Sequence, residues 1–213
     1  HNAGSIIVTG GRVSTSERVQ EKVKRLPKGK PLTLETFKSC GSSTSVRQAV
    51  SRLAKRGELV RVTKGVYARP KPVRHLRIAA LPKPESVAKV IAKQNRELLA
   101  PHGADIARKL GLSTHVTMQN AFYTTGRTRK VPIGMGTIAF QHAPKYLIEQ
   151  QGTPAGKALL ALHHLGPRHV TDEMLGRMRA RISCEEFRHV NKEKLPRWMR
   201  RVVETLESPL HAN

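Results

Sequence analysis

The stretch Thr44 to Gly57, "TSVRQAVSRLAKRG", constrains the fold of this chain more than any other. Val46, Ala49, Val50 and Leu53 stand at i, i+3, i+4 and i+7, the spacing of one apolar stripe on an α-helix. Gly57 follows where helices commonly close on a left-handed residue. A helix over 44–56 with one buried face needs partners, and its flanks supply them. Upstream, Val19, Val23 and Leu26 repeat the helical spacing within 14–26, with Ser14, Thr15 or Ser16 as cap. Pro27, Gly29 and Pro31 end that helix. Thr33 to Cys40 reads as a second short helix, capped by Thr33, with Leu34 and Phe37 inward and Glu35 in its first turn, where an acid suits the helix dipole. Downstream, "ELVRV" and "GVYAR" are β-prone runs joined by "TK" and Gly65, the pattern of a hairpin. Helix, helix, turn, helix, hairpin over 14–70 is the order of a winged helix-turn-helix.

Charge says what such a device would meet. The chain carries 39 Lys and Arg against 15 Asp and Glu, a net charge of +24, which attracts polyanions and points to nucleic acid. On the predicted 44–56 helix the outward face shows Thr44, Ser45, Arg47, Gln48, Ser51, Arg52 and Lys55. Arg matches guanine N7 and O6, Gln matches adenine N6 and N7, and hydroxyls serve phosphates or either base. The first turns of such a helix reach base edges, so Thr44, Ser45, Arg47, Gln48 and Arg52 are the candidate readers, with Ser51 and Lys55 placed for phosphate. Arg61, Lys64 and Arg69 flank the hairpin turn, where a wing would meet the DNA backbone or minor groove. Arg56 is a further cation able to neutralise a phosphate. Tyr67, in the second strand of the hairpin, reads as a packed residue.

The proline-rich segment 73–85 reads as a linker and the first 13 residues as a disordered or tag-like start. From 86 a second domain is expected: a helix from Ser86 to Leu99 (Val87, Val90, Ile91, Leu98), another at 104–113, a β element over about 116–142, and helices at 145–150, 154–165, 171–182, 185–192 and 196–207. In the β element, "TTGRTRK" at 124–130 reads as a basic hairpin, with Arg127, Arg129 and Lys130 as candidates for a partner protein or a second DNA face. The fold class expected is therefore α+β, mainly α, with a winged helix-turn-helix followed by a small α/β domain and a helical C-terminal tail.

Other chemistries find little support. Ten histidines and two cysteines, Cys40 and Cys184, form no HExxH, CxxC or finger spacing, so no metal, cofactor or disulfide is expected. "GMGT" at 134–137 lacks the lysine and the length of a phosphate loop, and no nucleophile–base pattern stands out, so no enzyme is expected. The longest apolar runs are too short to span a bilayer and the start lacks a signal-peptide pattern, which predicts a cytoplasmic protein without a membrane partner.

Two stretches resemble a known family. "SVRQAVSRLAKRGELVRVTKGVYARPKP" resembles the N-terminal winged helix of AbiEi-family antitoxins of type IV toxin–antitoxin systems, and "HGADIARKLGLSTHVTMQNAFYTTGRTRKVPIG" with "TIAFQHAP" resembles the domain that follows it in a short subgroup. The resemblance implies a bacterial repressor that binds inverted repeats of double-stranded DNA in its own promoter, an arrangement suiting two copies. It also implies opposition to a nucleotidyltransferase-like toxin without a stable complex. Carried over by position, Arg47, Gln48 and Arg52 fall on the recognition helix and Lys64 on the wing; Arg127, Arg129 and Lys130 mark the second domain. The expected function is a sequence-specific repressor that autoregulates its operon. The alternative is a non-specific or architectural nucleic-acid-binding protein, or a stand-alone regulator on a mobile element that restrains no toxin.

Overall fold

The structure is a computed structural model, and it describes residues 13–72, 79–114 and 120–208. The expected disordered start, much of the expected linker and the first part of the strand expected from Val116 lie outside the described residues. The chain divides into two compact units between Lys83 and Pro84, and both mix helices with short sheets, an α+β fold that is mainly α.

The first unit begins with α1 (Thr15–Arg25). Ser14 caps it through a full capping box: Ser14 Oγ accepts the Glu17 N–H, and the Glu17 carboxylate accepts the Ser14 N–H at 2.8 Å. The expected second short helix is present as a 3₁₀ helix (Leu34–Cys40) with Thr33 at its N-cap position, and it is preceded by a strand, β1 (Pro31–Thr33), that is not expected from the sequence. Thr33 makes no side-chain cap. Its backbone is extended and paired with β3, which leaves only seven residues before Gly41, and the tighter 3₁₀ coil turns Phe37 and Cys40 inward. The third helix, α2 (Ser43–Lys55), is capped by Ser42 and buries Val46, Ala49, Val50 and Leu53 as its spacing predicts. Gly57 turns the chain at φ 77°. Strands β2 (Val60–Thr63) and β3 (Val66–Ala68) form the hairpin around Lys64 and Gly65, with β1 on the far side of β3 in the order β1-β3-β2. Leu32 and Arg61 thus both lie opposite Tyr67, which packs against the unit's core. Strands β4 (Lys71–Pro72) and β5 (Ala79–Ala80) pair antiparallel.

The second unit opens with α3 (Pro84–Gln94), which buries Val87 and Ile91 but ends before Leu98; that residue is exposed, in the connection to β6 (Leu99–Pro101). After α4 (Gly103–Lys109) come β7 (Asn120–Thr124), β8 (Arg129–Ile133) and β9 (Gly136–His142), in the sheet order β6-β7-β9-β8. The 124–130 segment is therefore not a hairpin. β7 runs parallel to β9, which lies between it and β8, and the true hairpin is β8–β9 with Gly134 and Met135 at its tip. Alternation places Ile133, Ile138 and Phe140 inward and Lys130, Pro132 and Thr137 outward. Helices α5 (Lys145–Glu149), α6 (Pro154–Leu165), α7 (Asp172–Arg179), α8 (Cys184–Arg188) and α9 (Arg197–Glu207) complete the unit. α6 is apolar nearly all round and carries Leu159, Leu160 and Leu162 through the core centre. α4 packs so closely on it that a Cβ on Gly103 would meet the Leu160 carbonyl and lie 2.6 Å from His164 Cβ.

Candidate nucleic-acid interface

The stripe that buries α2 on one side presents the other side to solvent. Thr44, Arg47, Gln48, Ser51, Arg52 and Lys55 are exposed, and Ser45 is half-buried. Ser45 is also engaged: its N–H donates to Ser42 Oγ, whose hydroxyl donates to Ser45 Oγ at 2.9 Å. The pairs Arg47/Ser51 and Gln48/Arg52 are each four residues apart and so lie in adjacent rows. Together they line a shallow groove of about 420 Å³. Arg61 and Lys64 are exposed on the β2–β3 hairpin of the same unit, Lys64 at its turn. Among the described residues no carboxylate pairs with Arg47, Arg52, Lys55, Arg61 or Lys64. Five guanidinium and ammonium groups are thus available to an external anion.

Three basic residues singled out in the sequence are engaged by partners within the protein. Arg69 does not project from the hairpin: its Nη1 donates to the carbonyls of Lys24 at 2.7 Å and Leu26 at 3.1 Å, satisfying the C-terminal end of α1. Arg56 is paired with Glu58 at 3.0 Å. In the second unit Arg129 is bound to Glu97 at 2.6 Å and lies 4.4 Å over the Phe140 ring. Glu97 also accepts the Thr124 hydroxyl at 3.0 Å, while Thr125 and Leu98 exchange bonds, so this acid ties β7 and β8 to the end of α3. Arg127 and Lys130 remain exposed. Neither Arg129 nor Arg69 carries a sequence signal of its engagement, because their partners lie 32 and 43 or more residues away.

A second gathering of polar side chains lies between α4, α6 and the sheet. His102 is buried; its Nδ1 accepts the Ala104 N–H, which leaves the ring proton on Nε2, facing Gln141 Oε1 at 2.8 Å. Its ring stacks at 4.6 Å on Tyr123 and meets His164 edge-on at 5.2 Å, and Tyr123 meets His163 at 5.5 Å. Burial pushes the Tyr123 phenol up to about 12, against a smaller lowering by its hydrogen bond with the Gly103 backbone. Burial, then the charges of His102 and His142, hold His163 below the ordinary histidine value. Among the described residues no group of three or more His, Cys, Asp or Glu side chains could hold a metal ion. Nor is any of their helices long and apolar enough to cross a membrane.

One family model, described as a family of unknown function (DUF6088), matches residues 18–190. No curated protein and no solved structure matches the chain.

Proposed function

The chain belongs to the DUF6088 family, and we propose that it is a sequence-specific double-stranded-DNA-binding regulator whose first unit is a winged helix-turn-helix. The observation that carries the reading is the outer face of α2. Arg47, Gln48, Ser51 and Arg52 surround one groove, their charges unpaired, on a helix whose opposite face is locked in the core. A helix held by its buried face can present the donors and acceptors of its outer face to base edges in the major groove, as base readout requires. The exposed Arg61 and Lys64 supply the wing, and the two units together supply the field. The first unit holds 19 Lys and Arg against 4 Asp and Glu, the second 20 against 11. In this reading the protein binds rather than catalyses.

The resemblance to AbiEi-family antitoxins extends the proposal to an autoregulated operon and a nucleotidyltransferase-like toxin. The side chains of the second unit available to such a partner are Arg127 and Lys130, since Arg129 serves the fold. The net charge of +24 by itself also favours a non-specific nucleic-acid binder, and one experiment separates the two. Selection from a random duplex pool, followed by competition at several salt concentrations, should return a preferred sequence for the wild type. Arg52→Ala should flatten the preference at one position by about 1–3 kcal/mol, and Lys64→Ala should weaken all sequences alike. A wild-type specificity ratio near one supports the non-specific reading. Co-expression with the nucleotidyltransferase encoded next to it, if one is, tests the toxin.

A further inference from the structure

We propose that Glu58 is a built-in counter-ion that keeps Arg56 from the DNA backbone and thereby holds down binding that ignores sequence; this deepens the DNA-binding reading above and rests on it. Glu58 is the single acid among residues 41–69, which hold seven Lys and Arg. It sits at the joint between α2 and β2, where the N–H groups of Gly57, Glu58 and Leu59 are all bonded back to the carbonyls of Ala54 and Leu53. The backbone there is fixed, and two side-chain contacts orient the carboxylate. Its Oε1 lies 3.0 Å from Arg56 Nε, and its Oε2 accepts the Gln20 amide of α1 at 3.3 Å. Each oxygen has one partner, and Gln20 holds the group in the orientation that Arg56 needs.

Arg56 lies at the C-terminal end of α2, away from the turns that reach base edges in helix-turn-helix docking. A cation there can reach only phosphate, and phosphate contacts add affinity without sequence information. Neutralising it leaves the reading face of Arg47, Gln48 and Arg52 untouched while lowering affinity for every duplex equally. The pair is part-exposed, with 53% of the Arg56 side chain and 33% of the Glu58 side chain accessible. It is therefore weak enough that its role in folding is small. Its field still acts on an incoming phosphate, since the carboxylate both occupies Arg56 and repels the backbone.

The test uses the full chain and a random-sequence duplex of about 20 base pairs, with anisotropy titrations between about 50 and 300 mM KCl. Glu58→Gln keeps an acceptor for Gln20 and removes the charge. It should bind roughly five- to tenfold more tightly at about 100 mM salt, with a slope of log K against log [salt] steeper by about 0.9, and the gain should be the same on every duplex, so that its specificity ratio stays at the wild-type value. Arg56→Gln alone should leave the slope within about 0.3 of wild type, and the double variant should lose the added steepness. Three results overturn the proposal: an unchanged slope in Glu58→Gln, added steepness that survives in the double variant, or a slope shallower by about 0.9 in Arg56→Gln alone, which would put Arg56 on phosphate already. The last arm decides the matter even where Glu58→Gln fails to fold. A wild type with no salt-dependent duplex binding refutes the DNA-binding reading itself and takes this inference with it.

Discussion

Under the proposed DNA-binding function, the number of cations left to meet phosphate follows from side-chain pairing and from position on α2, and it fixes how steeply binding responds to salt. Of the seven Lys and Arg in 41–69, Arg69 is bonded to α1 carbonyls and Arg56 to Glu58. Arg47, Arg52, Lys55, Arg61 and Lys64 remain exposed and unpaired. With Arg47 and Arg52 on base edges, Lys55, Arg61 and Lys64 are placed for phosphate; each phosphate neutralised releases about 0.9 of a counter-ion, so three contacts give a slope near −2.7. A fourfold rise in salt, from about 50 to 200 mM, should then weaken binding about 40-fold. Replacing Lys55 and Lys64 together by Ala leaves one cation, a slope near −0.9 and a loss of about 3.5-fold over the same range. The assay is fluorescence anisotropy on a duplex of about 12 base pairs, short enough for one copy of the protein. A wild-type slope shallower than about −2, or a slope that the double substitution leaves unchanged, would refute the assignment of this face.

Other consequences concern stability. Glu97→Ala strands a largely buried guanidinium (Glu97 is 14% and Arg129 19% exposed) and removes the bond to Thr124. Thermal unfolding should register a loss of about 2–4 kcal/mol, part of it recovered in Glu97→Ala/Arg129→Ala. Gly103→Ala forces α4 away from the Leu160 carbonyl and His164, and should cost about 1–3 kcal/mol in denaturant melts. Ser14→Ala breaks the capping box of α1 and should cost about 1 kcal/mol. In acid, the depressed His163 means that the unfolded chain takes up its proton first. Stability should therefore fall as the pH drops from the ordinary histidine value toward the lower folded one, and His163→Gln should flatten that part of the melting-temperature profile. In base the sign reverses: the unfolded chain loses the Tyr123 proton first, so stability should fall between about pH 10 and 12, and Tyr123→Phe should remove the decline.

Much of the first unit was legible because its decisive interactions are local. The α2 stripe, its closure at Gly57 and the two-residue turn at Lys64 and Gly65 each depend on residues within a turn or two of one another, and the structure has them where the spacing predicts. The exposed set Arg47, Gln48, Ser51 and Arg52 follows from the same periodicity, since residues off the buried stripe must face outward. The helical tail was legible for a like reason, with prolines and caps marking its breaks.

What the sequence alone determines is therefore which faces are apolar, where helices stop, and how large the cationic surplus is. Tertiary structure decides how strands are ordered and which charges remain available. β1 becomes a strand only because β3 is there to pair with Pro31–Thr33, and β9 inserts between β7 and β8, which adjacency in the chain would have paired. Arg69, Arg56 and Arg129 look alike in the sequence to Arg47 and Arg52. They differ because α1 carbonyls, Glu58 and Glu97 come within hydrogen-bonding distance of them on folding. A charge is visible in one residue, but its availability depends on a distance between two, and for Arg69 and Arg129 that distance is set by packing across tens of residues.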